Sequence, residues 1–488
     1  MFTTLIEKEL KLVLSGKKFI WTFSISAILI ILSMTIGLME YKFAVRNYES
    51  AVNLNEQALR ETTSYGNLFM QAHRKPDPMQ IFSIGVHNDI GRNSNISSFS
   101  EIKLVNSAYT DDPIFAVFRF PDLSFIVQVV LSLFAILFTY DAISGEREQG
   151  TLKLTFASPV PRAQYVLAKL IGSWLGLMAP LAIPFLIGIL ILLLSGVPFT
   201  GEHWLRMSLF TGATVLFCSF FAVLGLTLSV FTRNSSTSFL LLLVIWVATI
   251  LILPRVAVMA AGQIITVPSQ AEIEGQRDGY SKQAWNEYES LMQKSWKARN
   301  VEMDGMNKAE AQAWREANLW QWMLDDEAAR EETEKKIHAF AARQNEDLQN
   351  RKAMLQKLAL TISRLSPASA YQLIAMDLSD TNVNLKSRYL ALMQTYRKDF
   401  LTYREKKIDE TGDKGGIRIT MDSDAGLSVV TGRDKGVLDL SDMPDFSPKI
   451  SRTDHLYQDV IVNMGIILIL TFLAFTMAFV RFLKYDVR

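Results

Sequence analysis

The chain has one cysteine, Cys218, in 488 residues, and only five histidines, at positions 73, 87, 203, 338 and 455. A single thiol closes no intramolecular disulfide, builds no thiolate zinc cluster and supports no CxxC redox couple. The histidines are scattered and form no HExxH pair. Neither a G-x-S-x-G elbow nor the G-x-x-x-x-G-K-[ST] phosphate loop occurs. Net charge is also scarce: 50 Lys+Arg against 49 Asp+Glu leave a formal +1, so no basic field is available to hold nucleic acid. Charged residues are 20% of the chain, below the roughly 25% of ordinary soluble domains.

Charge is missing altogether from six apolar runs: Phe19–Met39, Leu123–Tyr140, Leu170–Leu194, Met207–Phe231, Ser235–Leu253 and Val460–Val480. A bilayer core of about 30 Å needs roughly 20 apolar residues in a helix, so each run predicts a membrane span. The fold class expected is mainly α, a polytopic membrane protein with six transmembrane helices. Pro180 and Pro184 should kink the third span. Gly172 and Gly176 in it have the GxxxG spacing that admits a close neighbour. The first run is too long for a signal-peptide core and no A-x-A site follows it, so it reads as a retained anchor. In residues 1–18, Phe2, Ile6, Leu10, Val13 and Leu14 share a helical face, with Glu7, Lys8, Glu9 and Lys11 largely opposite. That pattern predicts a helix lying in the interface, with a frayed N-terminus as the alternative.

Lysine and arginine set the orientation. They occur at Lys8, Lys11, Lys17 and Lys18, at Arg147, Lys153 and Arg162, at Arg233, and at Arg481, Lys484 and Arg488, whereas Ser195–Leu205 has none. Six spans put all the positive segments on one side, so both termini are expected in the cytoplasm, with residues 481–488 as a cytoplasmic tail. Two insertions, 40–122 and 254–459, then fall outside. The first opens amphipathically (Tyr41, Val45, Tyr48, Val52, Leu54) and continues through a Pro/Asn/Ser-rich stretch that reads as loops with short strands. In the second, 31 of the 90 residues from Ala271 to Leu360 are charged, which fits solvated helices. Trp285, Tyr288, Met292 and Trp296 make an apolar stripe there, as do Ile337, Phe340, Leu348, Leu355 and their successors. Either a hairpin packs on itself or a stalk docks a partner. Pro367 ends the long helix, and residues 371–403 read as a further helical pair. Residues 417–419 and 427–430 predict a small hairpin. Asp422, Asp424 and Gly426 miss the calcium-loop spacing and read as turn residues.

Intramembrane carboxylate, His or Lys side chains mark ion-coupled carriers. Without them, energy for any movement has to arrive from outside the membrane plane. The segment most suited to receive it is the predicted cytoplasmic loop 141–169. There Glu146, Arg147 and Glu148 open a short charged helix, Gly150 breaks it, and Thr151 can cap the next turn. Leu152, Leu154 and Phe156 are read as its apolar face, and Ser158-Pro159 makes a second break. The result is an amphipathic knob suited to a groove on another protein.

This loop resembles that of the ABC-2 class of ATP-binding-cassette transporter permeases, which carry an E-R-E-x-G-T-L run, then a small-Pro segment with an Arg, and a Lys leading into the third span. The matching residues are Glu146, Arg147, Glu148, Gly150, Thr151, Leu152, Ser158, Pro159, Arg162 and Lys169. The Lys8-Glu9-Leu10 start, the six spans, the Phe231–Ser235 turn and the Leu365-Ser-Pro-Ala368 segment of longer members extend the likeness. The resemblance implies that Glu146, Arg147, Glu148, Gly150, Thr151 and Leu152 form the coupling helix to a separate cytoplasmic ABC ATPase. It implies no catalytic residue, cofactor or metal on this chain, with ATP and magnesium on the partner. Expected partners are that ATPase, a second permease copy or relative, and membrane lipid, with a periplasmic accessory protein as a further candidate. The expected setting is a bacterial inner membrane. The expected function is ATP-driven export of an amphipathic or lipid-like substrate. The alternative is a mechanical transducer that drives the large outer insertion without moving a solute.

Overall fold

The computed structural model describes residues 2–96, 102–107, 121–413, 417–422, 426–431, 438–446 and 454–484. Asp424 and Arg488, named above, lie outside them. Among the described residues, six helices are long and apolar enough to cross a membrane. The chain opens with α1 (Phe2–Leu14) and α2 (Lys17–Glu61), the latter running 45 residues, well past the end of its apolar run. Strands β1 (Met70–His73) and β2 (Asn93–Ile96) then pair antiparallel, with Met70 opposite Ile96. Helix α3 covers residues 123–139. Two short helices follow, α4 (Ser144–Glu148) and α5 (Thr151–Phe156), before α6 (Arg162–Leu194), α7 (Gly201–Phe231) and α8 (Ser235–Ile264). Beyond them lie α9 (Gln270–Glu302), α10 (Lys308–Ser363), α11 (Pro367–Leu378), α12 (Leu385–Thr411), a β3–β4 hairpin (Ile417–Asp422, Gly426–Thr431) and α13 (Asp454–Leu483).

The chain divides into two compact units, residues 1–252 with 364–488, and residues 253–363. In the first, α3 and α7 are the most enclosed of the long apolar helices and the others surround them with apolar surface facing outward. Such a surface suits lipid or another membrane protein and is unsuited to water. Both prolines lie within a continuous α6. The Gly172–Gly176 spacing admits the chain's own α1: a methyl at Gly172 would meet Glu9 Cβ at 2.5 Å, and one at Gly176 would meet Val13 Cγ1 at 2.6 Å. The face of α1 turned to α6 therefore carries Glu9, a buried residue that sequence periodicity placed among the polar ones.

Helix α11 is the largest departure from the expected layout. The sequence places it in the solvated outer insertion, yet Ala368, Ala370, Tyr371, Ile374, Ala375 and Leu378 are all buried in the main core. Tyr371 stacks on Phe217 at 4.6 Å and its hydroxyl is 3.0 Å from Thr214 Oγ1, midway along α7. Twelve apolar-rich residues are too few to span but enough for a helix enclosed by others. The neighbouring helices give way to admit it. Five-residue π turns interrupt α3 at Val127–Leu131 and α8 at Ala248–Ile252. Gln128 Nε2 donates to Ala368 O at 3.2 Å. In α8, Pro254 has no N–H for a carbonyl one turn back. Thr249 O accepts instead from Ser366 Oγ at 2.5 Å, and Ser366 Oγ also caps α11 by accepting from Ser369 N. The helix continues past Pro254 to Ile264.

In the second unit α9 and α10 fold back on each other. The turn passes through Gly305 at φ +95°, the left-handed region that favours glycine. Tyr280 stacks on Phe340 at 4.0 Å, and Arg299 pairs with Asp326 at 2.9 Å between Trp296 and Trp322. Packing of the hairpin on itself thus accounts for part of the aromatic stripe. Leu319, Trp320, Met323 and Leu324 remain exposed.

Candidate functional site

The loop 141–161 joins α3 to α6 and has two short helices separated by Gly150 at φ +74°. A side chain at that φ would be strained, so the break requires glycine. The loop is mounted on the helix bundle through its charged residues. Arg147 donates to Thr232 O at 2.5 Å and to Val230 O at 3.3 Å. These are carbonyls at the C-terminal end of α7, where a cation meets both the unpaired acceptors and the negative end of the helix dipole. Glu148 Oε2 accepts from Ser235 N at 3.1 Å, the mirror arrangement at the N-terminus of α8. Arg162 donates to Leu483 O at 2.7 Å, at the end of α13. Ser229 Oγ accepts from Ile143 N and Ser144 N, each at 2.9 Å. Three charged residues of the recognised motif are therefore caps for three different long helices.

Glu146 has another role. Its Oε1 lies 2.6 Å from Lys169 Nζ, its Oε2 accepts from the Tyr165 hydroxyl, and Lys8 approaches at 4.0 Å. Lys169 Nζ also lies 2.8 Å from Glu9 Oε1, and both side chains are nearly inaccessible to water. One buried ammonium thus joins α1, the loop and the start of α6. Two carboxylates share it, and a buried charge is tolerated only when paired in this way. A cavity of about 580 Å³ borders the cluster, lined by Lys8, Lys18, Asp141, Gln149 and Ser173 among others.

Each candidate from the sequence can now be placed. Glu146, Arg147 and Glu148 lie together and are engaged within the chain. Thr151 Oγ1 donates to Glu146 O at 3.2 Å, bridging the Gly150 break. Leu152 is buried with Ile143, Tyr165, Leu226, Val230 and Phe482. Phe156 packs edge-on against Tyr165 at 5.1 Å. Leu154 is 72% exposed. The apolar face inferred from 152, 154 and 156 therefore splits, because alternate residues of a helix point some 200° apart. The outward crest consists of Gln149, Gly150, Lys153 and Leu154. Sequence reasoning missed Glu9 and Tyr165 as members of the buried cluster. The GxxxG pair was the available signal, since whatever packs there lies one turn from Lys169.

A second buried ion pair lies at the other end of α7. Arg206 is fully buried, donates to Asp77 Oδ1 and Oδ2 at 3.0 and 2.9 Å and to Leu378 O at 3.0 Å. It joins α7 to the segment after β1 and to the end of α11. The sequence left it just outside the fourth apolar run. Nearby, burial raises the Asp377 carboxyl to about 6, although Asn382 Nδ2 donates to it at 3.0 Å.

A multi-pass helical membrane protein, with a loop braced against several spans and a short helix enclosed among them, is the class this architecture defines. A family model described as "ABC-2 family transporter protein" matches residues 3–487, and the chain belongs to that family. It is a membrane transport component of an ABC transporter, distinct from the ATPase. A search of curated proteins finds no match.

Proposed function

We propose that this permease receives the motion of a cytoplasmic ABC ATPase on the crest Gln149–Leu154 and passes it to the helices through the charged residues beneath. The observation that carries this reading is the bracing of the loop. A displacement of α4 and α5 acts directly on the end of α7 through Arg147, on the start of α8 through Glu148, and on α1 and α6 through Glu146 and Lys169. In this division of labour Glu146, Arg147, Glu148 and Leu152 position the knob, and Gln149, Gly150, Lys153 and Leu154 touch the ATPase. The termini and the loop are cytoplasmic, in a bacterial inner membrane, and the unit pairs two permease copies or relatives with two ATPase subunits. Apolar outward surfaces on α2, α6, α8 and α13 suit an exported amphipathic or lipid-like substrate.

The test uses native membranes solubilised in mild detergent, with mass spectrometry of the co-purifying chains. Leu154→Asp should lose a Walker-type ATPase while keeping the thermal stability of the permease. Retention of the ATPase by Leu154→Asp and by Lys153→Glu would overturn the assignment of the crest. The second reading, a mechanical transducer, is favoured by the exposed Leu319, Trp320, Met323 and Leu324 on the α9–α10 hairpin. Shortening that hairpin between residues 285 and 340 separates the two. An exporter keeps substrate-stimulated ATP hydrolysis, and a transducer loses its output.

A further inference from the structure

Between α2 and the β1–β2 hairpin lies a cavity of about 160 Å³ that the coupling reading does not use. It is reached along α2 about 45 Å from Lys17, at 1.5 Å per residue, and is lined by Tyr48, His73, Arg74, Arg92, Asn93 and Asn106. Arg74 follows β1 and Arg92 precedes β2, and Arg74 N donates to Arg92 O at 2.8 Å, so the hairpin sets the two side by side. Arg74 is only 6% exposed. Its Nη2 donates to His87 O at 2.7 Å, while its Nε and Nη1 are buried with no hydrogen-bond partner among the described residues. Arg92 Nε and His73 Nε2 are likewise buried and unpartnered. Four nitrogens without a partner among the described residues therefore belong to three side chains that line one small space.

Leaving a guanidinium buried with two nitrogens unmatched is costly, more so beside a second guanidinium. The surrounding carboxylates do not resolve this. Glu40 acts on Arg92 and Asp380 on Arg74 electrostatically, but neither hydrogen-bonds to them, and Asp380 is ion-paired with Arg388. The ring of Tyr389 lies 6.0 Å from the Arg74 guanidinium, which offers a face but no acceptor. Burial and the two guanidinium groups hold the His87 ring well below the ordinary histidine range, so positive charge here comes from arginine. The chemical complement of these donors is an acceptor with several oxygens.

We propose that the Arg74–Arg92 pocket binds a compact oxyanion, a phosphate, sulfate or carboxylate group, through the forked donors of both arginines. Arginine suits this role because its planar fork matches such groups with paired, charge-assisted hydrogen bonds. The volume accommodates one such group. The oxyanion is either free in solution or the headgroup of an amphiphile, and the chemistry recognised is the same. The inference is independent of the coupling proposal, since the pocket and the loop share no residue.

The experiment uses the purified full-length permease. Thermal unfolding in a neutral detergent is followed with sodium phosphate and with sodium chloride at matched ionic strength. It is repeated in nanodiscs of phosphatidylglycerol and of phosphatidylcholine. Arg92→Gln and Arg74→Gln are compared with wild type. Because Arg74 is the more buried, Arg92→Gln decides the matter if Arg74→Gln does not fold. A saturable upward shift with phosphate, its half-saturation weakened tenfold or more in Arg92→Gln, supports a free anion. A shift confined to phosphatidylglycerol discs and lost in Arg92→Gln supports a headgroup. Phosphate no better than chloride together with phosphatidylglycerol no better than phosphatidylcholine overturns the proposal, as does a shift that Arg92→Gln retains in full.

Discussion

Each end of α7 meets a hydrogen-bonding arginine, and the two arginines are held by opposite means. Arg147 reaches the C-terminal end from a neighbouring loop, where free carbonyls and the helix dipole both favour a cation. Arg206 lies within the first two turns, where the dipole opposes it, and it is wholly enclosed. Asp77, accepting with both carboxylate oxygens, the Leu378 carbonyl and the nearby Glu202 carboxylate make that position tolerable. The first contact joins the bundle to a partly exposed knob, and the second joins three segments through a guanidinium that is itself wholly enclosed. Under the proposed coupling, a connection that transmits displacement can be built of separable hydrogen bonds at a surface. A connection meant to hold has its charges paired where water does not compete.

The sharpest break of this comparison is Arg206→Met, which leaves Asp77 buried without its main partner. It should cost about 3–5 kcal/mol, read as a large fall in the thermal midpoint of the detergent-solubilised protein. Adding Asp77→Leu should restore part of the loss, and equal losses in the single and double variants would contradict the pairing argument. Arg147→Met should cost less, about 1–3 kcal/mol for the carbonyls it leaves unmatched. It should also uncouple ATP hydrolysis from transport while the ATPase still binds, an outcome that Arg206→Met does not share in any folded fraction.

Asp377 sharpens the account of the Arg206 end through pH. Its carboxyl is raised from 3.8 to about 6, chiefly by burial, with Asn382 acting in the other direction. The folded state therefore prefers the protonated form. The stability this group contributes is fully present below the ordinary carboxyl range and is lost as pH rises through about 6. Asp377→Asn should accordingly be more stable than wild type at pH 7.5 by about 1–2 kcal/mol, with the gap closing toward pH 4.5. A difference independent of pH would assign the effect to packing. The smallest change expected is Ser366→Ala, about 1 kcal/mol from loss of the α11 cap and of the donor to Thr249 O, measured by thermal unfolding.

Much of the architecture was legible in the residues because the bilayer imposes a simple rule. Runs of about 20 apolar residues with no charge can hardly be anything but spans, and the six runs are the six long apolar helices. The loop motif was legible for a related reason. A Glu-Arg-Glu run followed by glycine, between two spans, has charges that must find partners and a backbone that must turn. Where the side chains point was not legible. Leu152 and Leu154 look equivalent in sequence, yet one is enclosed and the other is 72% exposed. Glu9 looks like a surface residue until Gly172 lets α1 close on Lys169.

The sequence by itself determined the number of apolar helices, the position of the loop between the second and third, and the largely helical character of the second insertion. These follow from hydropathy and local breakers, which act within a turn or two of the chain. The tertiary structure alone decided that α11 lies inside the bundle, that Arg147, Glu148 and Arg162 close the ends of other helices, and that Arg74 and Arg92 face one cavity. Each of these depends on pairing groups distant in the chain, up to 321 residues apart for Arg162 and Leu483. Desolvation makes such pairing obligatory once the groups are buried, but it does not say in advance which partner will be found.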